Sequence, residues 1–266
     1  MIGKPSPAKT PFVLRRDDSG VATLTLNRPE QRNPLSEGML AELGEMLEAI
    51  DKDSSVRVVV FCHEGPAFSA GHDLKEVRAN QSKDYYSWLM AQCSSLMTRI
   101  VRLQKPVIAA VEGVATAAGC QLVASCDLAF AGSKASFSTP GVNIGLFCST
   151  PMVALSRNVA TKHAMEMLLT GDPIDAEEAA RIGLVNRVVP AGEASAEAHA
   201  VALKIASKSA MTLRIGKEAF YRQSELGLDD AYLFTSEVMT KNLLAEDAGE
   251  GIDAFIEKRS PKWKDR

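Results

Sequence analysis

Ala67-Phe68-Ser69-Ala70-Gly71-His72-Asp73-Leu74 and Glu112-Gly113-Val114-Ala115-Thr116-Ala117-Ala118-Gly119-Cys120-Gln121 are two runs of small residues, each leaving an apolar segment. The first follows residues 56–62 and the second follows residues 107–111, both short, β-branched and bounded by breakers. That is how a buried parallel strand reads. Small residues at strand ends let backbone N–H groups come close to a ligand. Two such loops at neighbouring strand ends can aim two amides at one oxygen, which is the geometry of an oxyanion hole. The chemistry to expect is polarisation of a carbonyl or thioester. Taken alone, the same residues also fit plain tight strand–helix packing.

The chain has 266 residues, 46% of them hydrophobic, which excludes a disordered or fibrous protein. A net charge of −3 argues against a nucleic-acid partner, which favours a basic chain. No apolar run reaches the ~18 residues of a membrane span. Cys62, Cys93, Cys120, Cys126 and Cys148 form no CxxC pair and have apolar neighbours, so they read as buried reduced thiols of a cytoplasmic protein. No metal site is expected.

Residues 12–16 and 21–27 flank Asp17-Asp18-Ser19-Gly20, a hairpin turn. Ser36 is the expected N-cap of a helix carrying Leu40, Leu43, Met46, Leu47 and Ile50. Residues 74–84 read as a polar, mobile stretch. A helix with Leu89, Cys93, Leu96, Met97 and Ile100 ends before Lys105-Pro106. Strand 107–111, a helix from Ala118 and strand 127–131 continue an α/β pattern with a mostly parallel sheet. From Met152 onward the pattern is almost entirely helical, with one strand at 184–189.

Several motifs resemble the crotonase, or enoyl-CoA hydratase/isomerase, superfamily. They are Asn27-Arg28-Pro29 with Asn33, residues 68–74, Lys105 to Gly113, Cys126-Asp127-Leu128-Ala129, residues 179–185 and residues 255–261. They run in the family's order from about residue 12 to residue 264. The resemblance implies a ββα-repeat spiral core over 12–200 after a flexible tail at 1–11. It also implies a C-terminal helical layer over 201–266 that associates subunits into homotrimers or homohexamers. The implied ligand is an acyl-CoA or enoyl-CoA thioester, with coenzyme A part of the substrate and no tightly bound cofactor.

On the same resemblance, the two amide donors belong to His72 and Ala118. Ala117 and Ala118 stand where relatives carry glycines. The His72 imidazole is expected to line the thioester pocket rather than to carry the chemistry. Hydratases of the family use two glutamates, one at the position of Gln121 and one at that of Gly141, after Phe137-Ser138-Thr139-Pro140. Other members place an aspartate at the position of Ser149. From Lys105 to Thr150 the only carboxylates are Glu112 and Asp127, which read as structural. Arg28, Ala70, Lys75 and Lys258, the last expected on the C-terminal helix, are the resemblance's candidates for the coenzyme A moiety. Fast hydration is therefore not expected; slow hydration, isomerisation or hydrolysis, or acyl-CoA binding without turnover, remain open.

A serine hydrolase is the reading of another class, since Ala67-Phe68-Ser69-Ala70-Gly71 approximates Gly-x-Ser-x-Gly. It needs a late histidine on a loop, and the last one, His199, lies in an alanine-rich helical run.

Overall fold

In the computed structural model, which describes residues 10–266, β1 (Val13–Asp18) and β2 (Val21–Leu26) pair as an antiparallel hairpin. Ser19 and Gly20 in its turn take φ values of 51° and 80°, the left-handed conformation that matches the twist of a tight hairpin. α1 (Glu37–Lys52) begins at Ser36, whose Oγ accepts from the Met39 N–H, and buries Met39, Leu40, Leu43, Leu47 and Ile50 on one stripe.

Three successive units then each place one strand in a first sheet and one in a second. These are β3 (Val58–His63) with β4 (Ala67–Ser69), β5 (Val107–Val111) with β6 (Val114–Thr116), and β7 (Leu128–Gly132) with β8 (Ser136–Ser138). α2 (Leu74–Ala79) and α3 (Lys83–Arg102) follow the first pair, and α4 (Ala118–Ser125) follows the second. Next come α5 (Pro151–Asn158), α6 (Thr161–Thr170), β9 (Ile174–Asp175), α7 (Ala176–Arg181) and β10 (Arg187–Val189). The chain ends in α8 (Ala194–Ala206), α9 (Ala210–Gln223), α10 (Leu228–Leu243) and α11 (Glu246–Ile256).

The larger sheet has the order β1-β2-β3-β5-β7-β10 and is parallel except for the hairpin. The smaller one has the order β4-β6-β8-β9, with β9 antiparallel. This is the α/β ββα spiral the motifs imply. The larger sheet is covered on both faces. Val59, Phe61, Val107 and Ala109 join one core with α1 and α3, while Val58, Val60, Ile108 and Phe130 pack against Ala194, Ala198 and Ala202 of α8. Double burial is why these strands read as unbroken apolar runs.

The two carboxylates read as structural make structural contacts. Glu112 accepts from the Gly192 and Ala194 N–H groups and holds the start of α8. Asp127 accepts from the Val107 N–H at 2.7 Å, from Lys217 Nζ at 2.7 Å and from the Tyr221 hydroxyl at 2.8 Å, tying α9 to the sheet. Burial pulls the Lys217 amine below its usual range and pushes the Tyr221 phenol up.

The structure departs from the sequence reading in three places. Residues 74–84 are mostly helical rather than an open loop: Asp73 Oδ1 caps α2 through the Lys75 and Glu76 N–H groups, and Ser82 caps α3. The smaller sheet is absent from the sequence pattern because its strands are two or three residues long. Lys258 lies past the end of α11, in a left-handed turn with φ 55°. The expected tail falls mainly on residues 1–9, outside the described residues. α10 buries no residue within the chain, and Leu228, Tyr232, Leu244, Phe255 and Ile256 are exposed.

Candidate active site

The first loop is built from its anchors. Asn33 is fully buried; its Oδ1 accepts from the Arg28 N–H at 2.7 Å, and its Nδ2 donates to the carbonyls of Glu64 and Ala67. The segment before α1 then pairs with the loop after β4. The Leu35 N–H donates to the Gly71 carbonyl at 2.7 Å and the Ala70 N–H to that of Arg32 at 2.9 Å. Ser69 is buried and its Oγ accepts from the Gly71 N–H. That hydroxyl is spent on the turn, and His199 instead contacts Thr23 Oγ1 and the Ser195 carbonyl, so no serine–histidine pair forms here.

The second loop meets the first at Gly71. With φ at +84°, a Cβ on this residue would lie 2.9 Å from Ala117 Cβ and 3.2 Å from the Ala118 nitrogen. Gly119 sits closer still, for a Cβ there would strike the Ser69 carbonyl oxygen. The His72 and Ala118 N–H groups have no hydrogen-bond partner among the described residues. Ala118 is the first residue of α4, so its amide also carries the partial positive charge of a helix start. Two unsatisfied donors on adjoining loops are the arrangement a site for an oxygen atom requires.

Ala117, the residue that turns the chain into α4, has φ 51° and ψ −118°. Few L-residues adopt this conformation, and glycine does so without penalty. The turn is held because the Ala117 N–H donates to the Ser138 carbonyl at 3.0 Å and Thr116 Oγ1 meets Ser138 Oγ at 2.8 Å.

The His72 ring has Nδ1 3.3 Å from the Leu35 carbonyl and a buried Nε2 without a partner among the described residues. Burial holds its pKa below the usual imidazole value, so it adds no positive charge near neutrality. Gln121, one turn into α4, is buried; its Oε1 faces the Cys93 thiol, whose pKa burial pushes up to about 12.

Gly141 is buried under the loop that follows it. A Cβ there would lie 2.8 Å from the Leu146 carbonyl oxygen, 2.9 Å from Cys148 Sγ and 3.3 Å from the Cys148 nitrogen. The Leu146 N–H closes this loop on the Gly141 carbonyl at 2.9 Å. Ser149 is exposed, with its hydroxyl on the Phe147 carbonyl. Thr139, fully buried two residues before Gly141, has a hydroxyl with no partner among the described residues. The sequence pattern pointed to the positions of Gln121 and Gly141 but not to the two thiols beside them, because Cys93 comes from α3, far back in the chain, and Cys148 reaches Gly141 only through the way its own loop folds back.

The basic candidates are spread over separate segments. Arg28 pairs with Glu30 and stacks 4.7 Å over the Phe12 ring. Lys75 is exposed in the first turn of α2, and neither its ammonium nor that of Lys258 has an ion-pair partner among the described residues. Among those residues no cluster of His, Cys, Asp and Glu could hold a metal, and no helix is long and apolar enough to cross a membrane. A separate cavity of about 410 Å³, lined by Arg16, Thr23, His63, Glu64, Ser195 and His199 among others, lies on the α8 face of the larger sheet.

The family model described as enoyl-CoA hydratase/isomerase matches residues 16–266. Human enoyl-CoA hydratase domain-containing protein 3, mitochondrial, is 48% identical over 249 residues, spanning 93% of this chain and 82% of that protein. The Xenopus laevis protein of the same name is 48% identical over 254 residues, or 96% and 86%. A crystal structure of enoyl-CoA hydratase from Mycobacterium smegmatis superposes with a TM-score of 0.93 at 52% identity, covering 95% of this chain and 99% of that one. These names overturn the cytoplasmic location expected from the cysteines, since the vertebrate relatives are mitochondrial by name. Buried reduced thiols report only that a thiol is shielded, which does not separate one reducing compartment from another.

Proposed function

The chain belongs to the enoyl-CoA hydratase/isomerase family, and from that premise we propose that it binds acyl-CoA thioesters and polarises their carbonyl through the His72 and Ala118 amides. The observation that carries this reading is the pair of unpartnered N–H groups brought together by the Gly71–Ala118 approach. The thioester oxygen accepts from both, and the start of α4 stabilises the charge that gathers there as an enolate forms. In an enoyl thioester this polarisation leaves the β-carbon electrophilic. Coenzyme A enters as part of the substrate, and Arg28, Ala70, Lys75 and Lys258 are the positions proposed to meet it.

The positions at which the resemblance places catalytic carboxylates supply none to take and return the proton of water. Gln121 cannot act as a general base near neutral pH, Gly141 has no side chain, and Ser149 is turned to its own loop. Each missing acid–base group costs about 10²–10⁴-fold. The reading is therefore thioester binding and polarisation with slow addition, isomerisation or hydrolysis at most. A second reading, acyl-CoA binding without turnover, is favoured by the packing of Leu146 and Cys148 against Gly141, which leaves no room for a catalytic side chain there.

One experiment tests both. A panel of enoyl- and acyl-CoA thioesters is incubated with the protein in heavy water and read by mass spectrometry. Hydration adds water, isomerisation exchanges an α or γ hydrogen, and hydrolysis frees coenzyme A. Product above the buffer blank supports the catalytic reading, and retained binding without product supports the second. Failure to bind any thioester overturns both.

A further inference from the structure

We propose that the His72 imidazole is a positioning group for the amide of its own residue: through the Leu35 carbonyl it holds the Gly71–His72 peptide so that the N–H aims at the thioester oxygen. The inference rests on the reading of the His72 and Ala118 amides as a thioester site and deepens it. The carbonyl of Gly71 and the N–H of His72 belong to one peptide unit, which is planar and trans, so they point in opposite directions. The Leu35 N–H donates to that Gly71 carbonyl at 2.7 Å. This bond draws the carbonyl toward Leu35 and turns the His72 N–H away from it, where it has no partner among the described residues. Half a turn of the peptide would put an oxygen where the donor now stands.

The ring secures the other side of Leu35. This residue is fully buried, and its carbonyl lies 3.3 Å from His72 Nδ1 with no other hydrogen-bond partner among the described residues. A carbonyl only accepts, so Nδ1 carries the proton and Nε2 the lone pair. Nε2 is buried and unpartnered among the described residues, so no second bond competes for the ring. Leu35 and the Gly71–His72 unit therefore grip each other twice, once through each backbone group of Leu35. On either side of this pair, the Ala70 N–H donates to the Arg32 carbonyl and the Glu37 N–H to Glu76 Oε2, both at 2.9 Å. Removing the ring leaves the Leu35 carbonyl buried without a donor, which favours any turn of the backbone that finds it one. Such a turn loosens the Leu35 N–H from the Gly71 carbonyl and frees the peptide to rotate.

The test is infrared spectroscopy of butyryl-CoA carrying carbon-13 at the thioester carbonyl, bound to the full chain, with binding measured by calorimetry. The carbonyl band is expected to move to lower frequency on the unaltered chain and to return most of the way to its free value on His72→Ala. On His72→Asn it should stay low, because the Asn Nδ2–H can replace the Nδ1–H. A ring that only supports the fold would lower the melting temperature of His72→Ala and leave the band where it was. Nitrogen-15 spectra of the histidines in the unaltered chain decide the question even if His72→Ala fails to fold: a proton on Nδ1 of His72 is expected, and one on Nε2 overturns the inference. A full shift on His72→Ala, or a shift lost on His72→Asn as well, also overturns it and leaves the thioester reading standing. Butyryl-CoA bound to the unaltered chain without a shift, or not bound at all, overturns both.

Discussion

Cys148 closes over Gly141: its sulfur lies 2.9 Å, and the Leu146 carbonyl oxygen 2.8 Å, from where a Cβ at position 141 would point. Gln121, the other position at which the resemblance places a glutamate, already carries a side chain of a glutamate's size and faces the Cys93 thiol. The two missing carboxylates are therefore not equivalent. Gln121→Glu replaces an amide by an isostere. Gly141→Glu must displace backbone, which costs about 1–3 kcal/mol for an overpacked site.

Restoring one carboxylate at Gln121 should raise hydration of crotonyl-CoA by on the order of 10²-fold, followed by loss of enoyl absorbance. Gly141→Glu alone should lower the unfolding midpoint, and adding it to Gln121→Glu should raise the rate again only if residues 142–148 yield. A Gln121→Glu variant that is folded and binds butyryl-CoA but hydrates no faster than the parent would remove Gln121 from the site.

The turn at Ala117 makes a stability prediction. Its left-handed φ costs an L-residue about 1–3 kcal/mol, against about 0.4–1 kcal/mol for the freedom glycine adds to the unfolded chain. Ala117→Gly should stabilise the fold by about 1 kcal/mol, or ~2–4 °C in Tm. Gly119→Ala should do the opposite, because its methyl group meets the Ser69 carbonyl. Calorimetric melting of both variants checks the pair.

Lys217 is buried against Asp127 with a side-chain exposure of 7%, and it also donates to the carbonyls of Ile100 and Lys105 at 3.0 Å. Lys217→Met leaves the carboxylate without its counter-charge, which costs about 3–5 kcal/mol when one partner of a buried pair is removed. Urea unfolding at neutral pH should show that loss. Replacing both residues by apolar ones should recover part of it, and a double variant no better than the single would count against the pairing.

Burial holds His63 and His72 below the ordinary imidazole value of 6.5. The unfolded chain takes up those protons first, so the stabilisation from the neutral rings is complete above pH 6.5. It is lost as pH falls through the lower folded-state values, by up to ~1.4 kcal/mol per pH unit per ring. Urea unfolding from pH 7.5 to pH 5.5 should weaken on the acid side, and His72→Gln should flatten the slope. An unchanged slope would remove His72 as a source.

Legibility in the chain followed element length. The strands β3, β5 and β7 were readable because both faces are buried, and α1 because its N-cap and apolar stripe agree. α2 was missed although Asp73 and Glu76 sit at the spacing of a capping signal. Six residues bury no stripe, and the polar composition dominated. β4, β6, β8 and β9 are too short to show a period, and their pairing is made by the turns that return the chain.

Local order was enough to show a mostly parallel α/β core, and the motifs carry the resemblance that implied the spiral, the family and the glutamate positions that Gln121 and Gly141 occupy. Tertiary packing decided the rest: that Gly71 meets Ala118, that Ala117 bears a glycine's conformation, and that Cys93 and Cys148 come to stand beside Gln121 and Gly141. Gly71 with Ala118 and Cys93 with Gln121 join residues far apart in sequence, and the short loop from Gly141 to Cys148 carries no periodicity that records how it folds back.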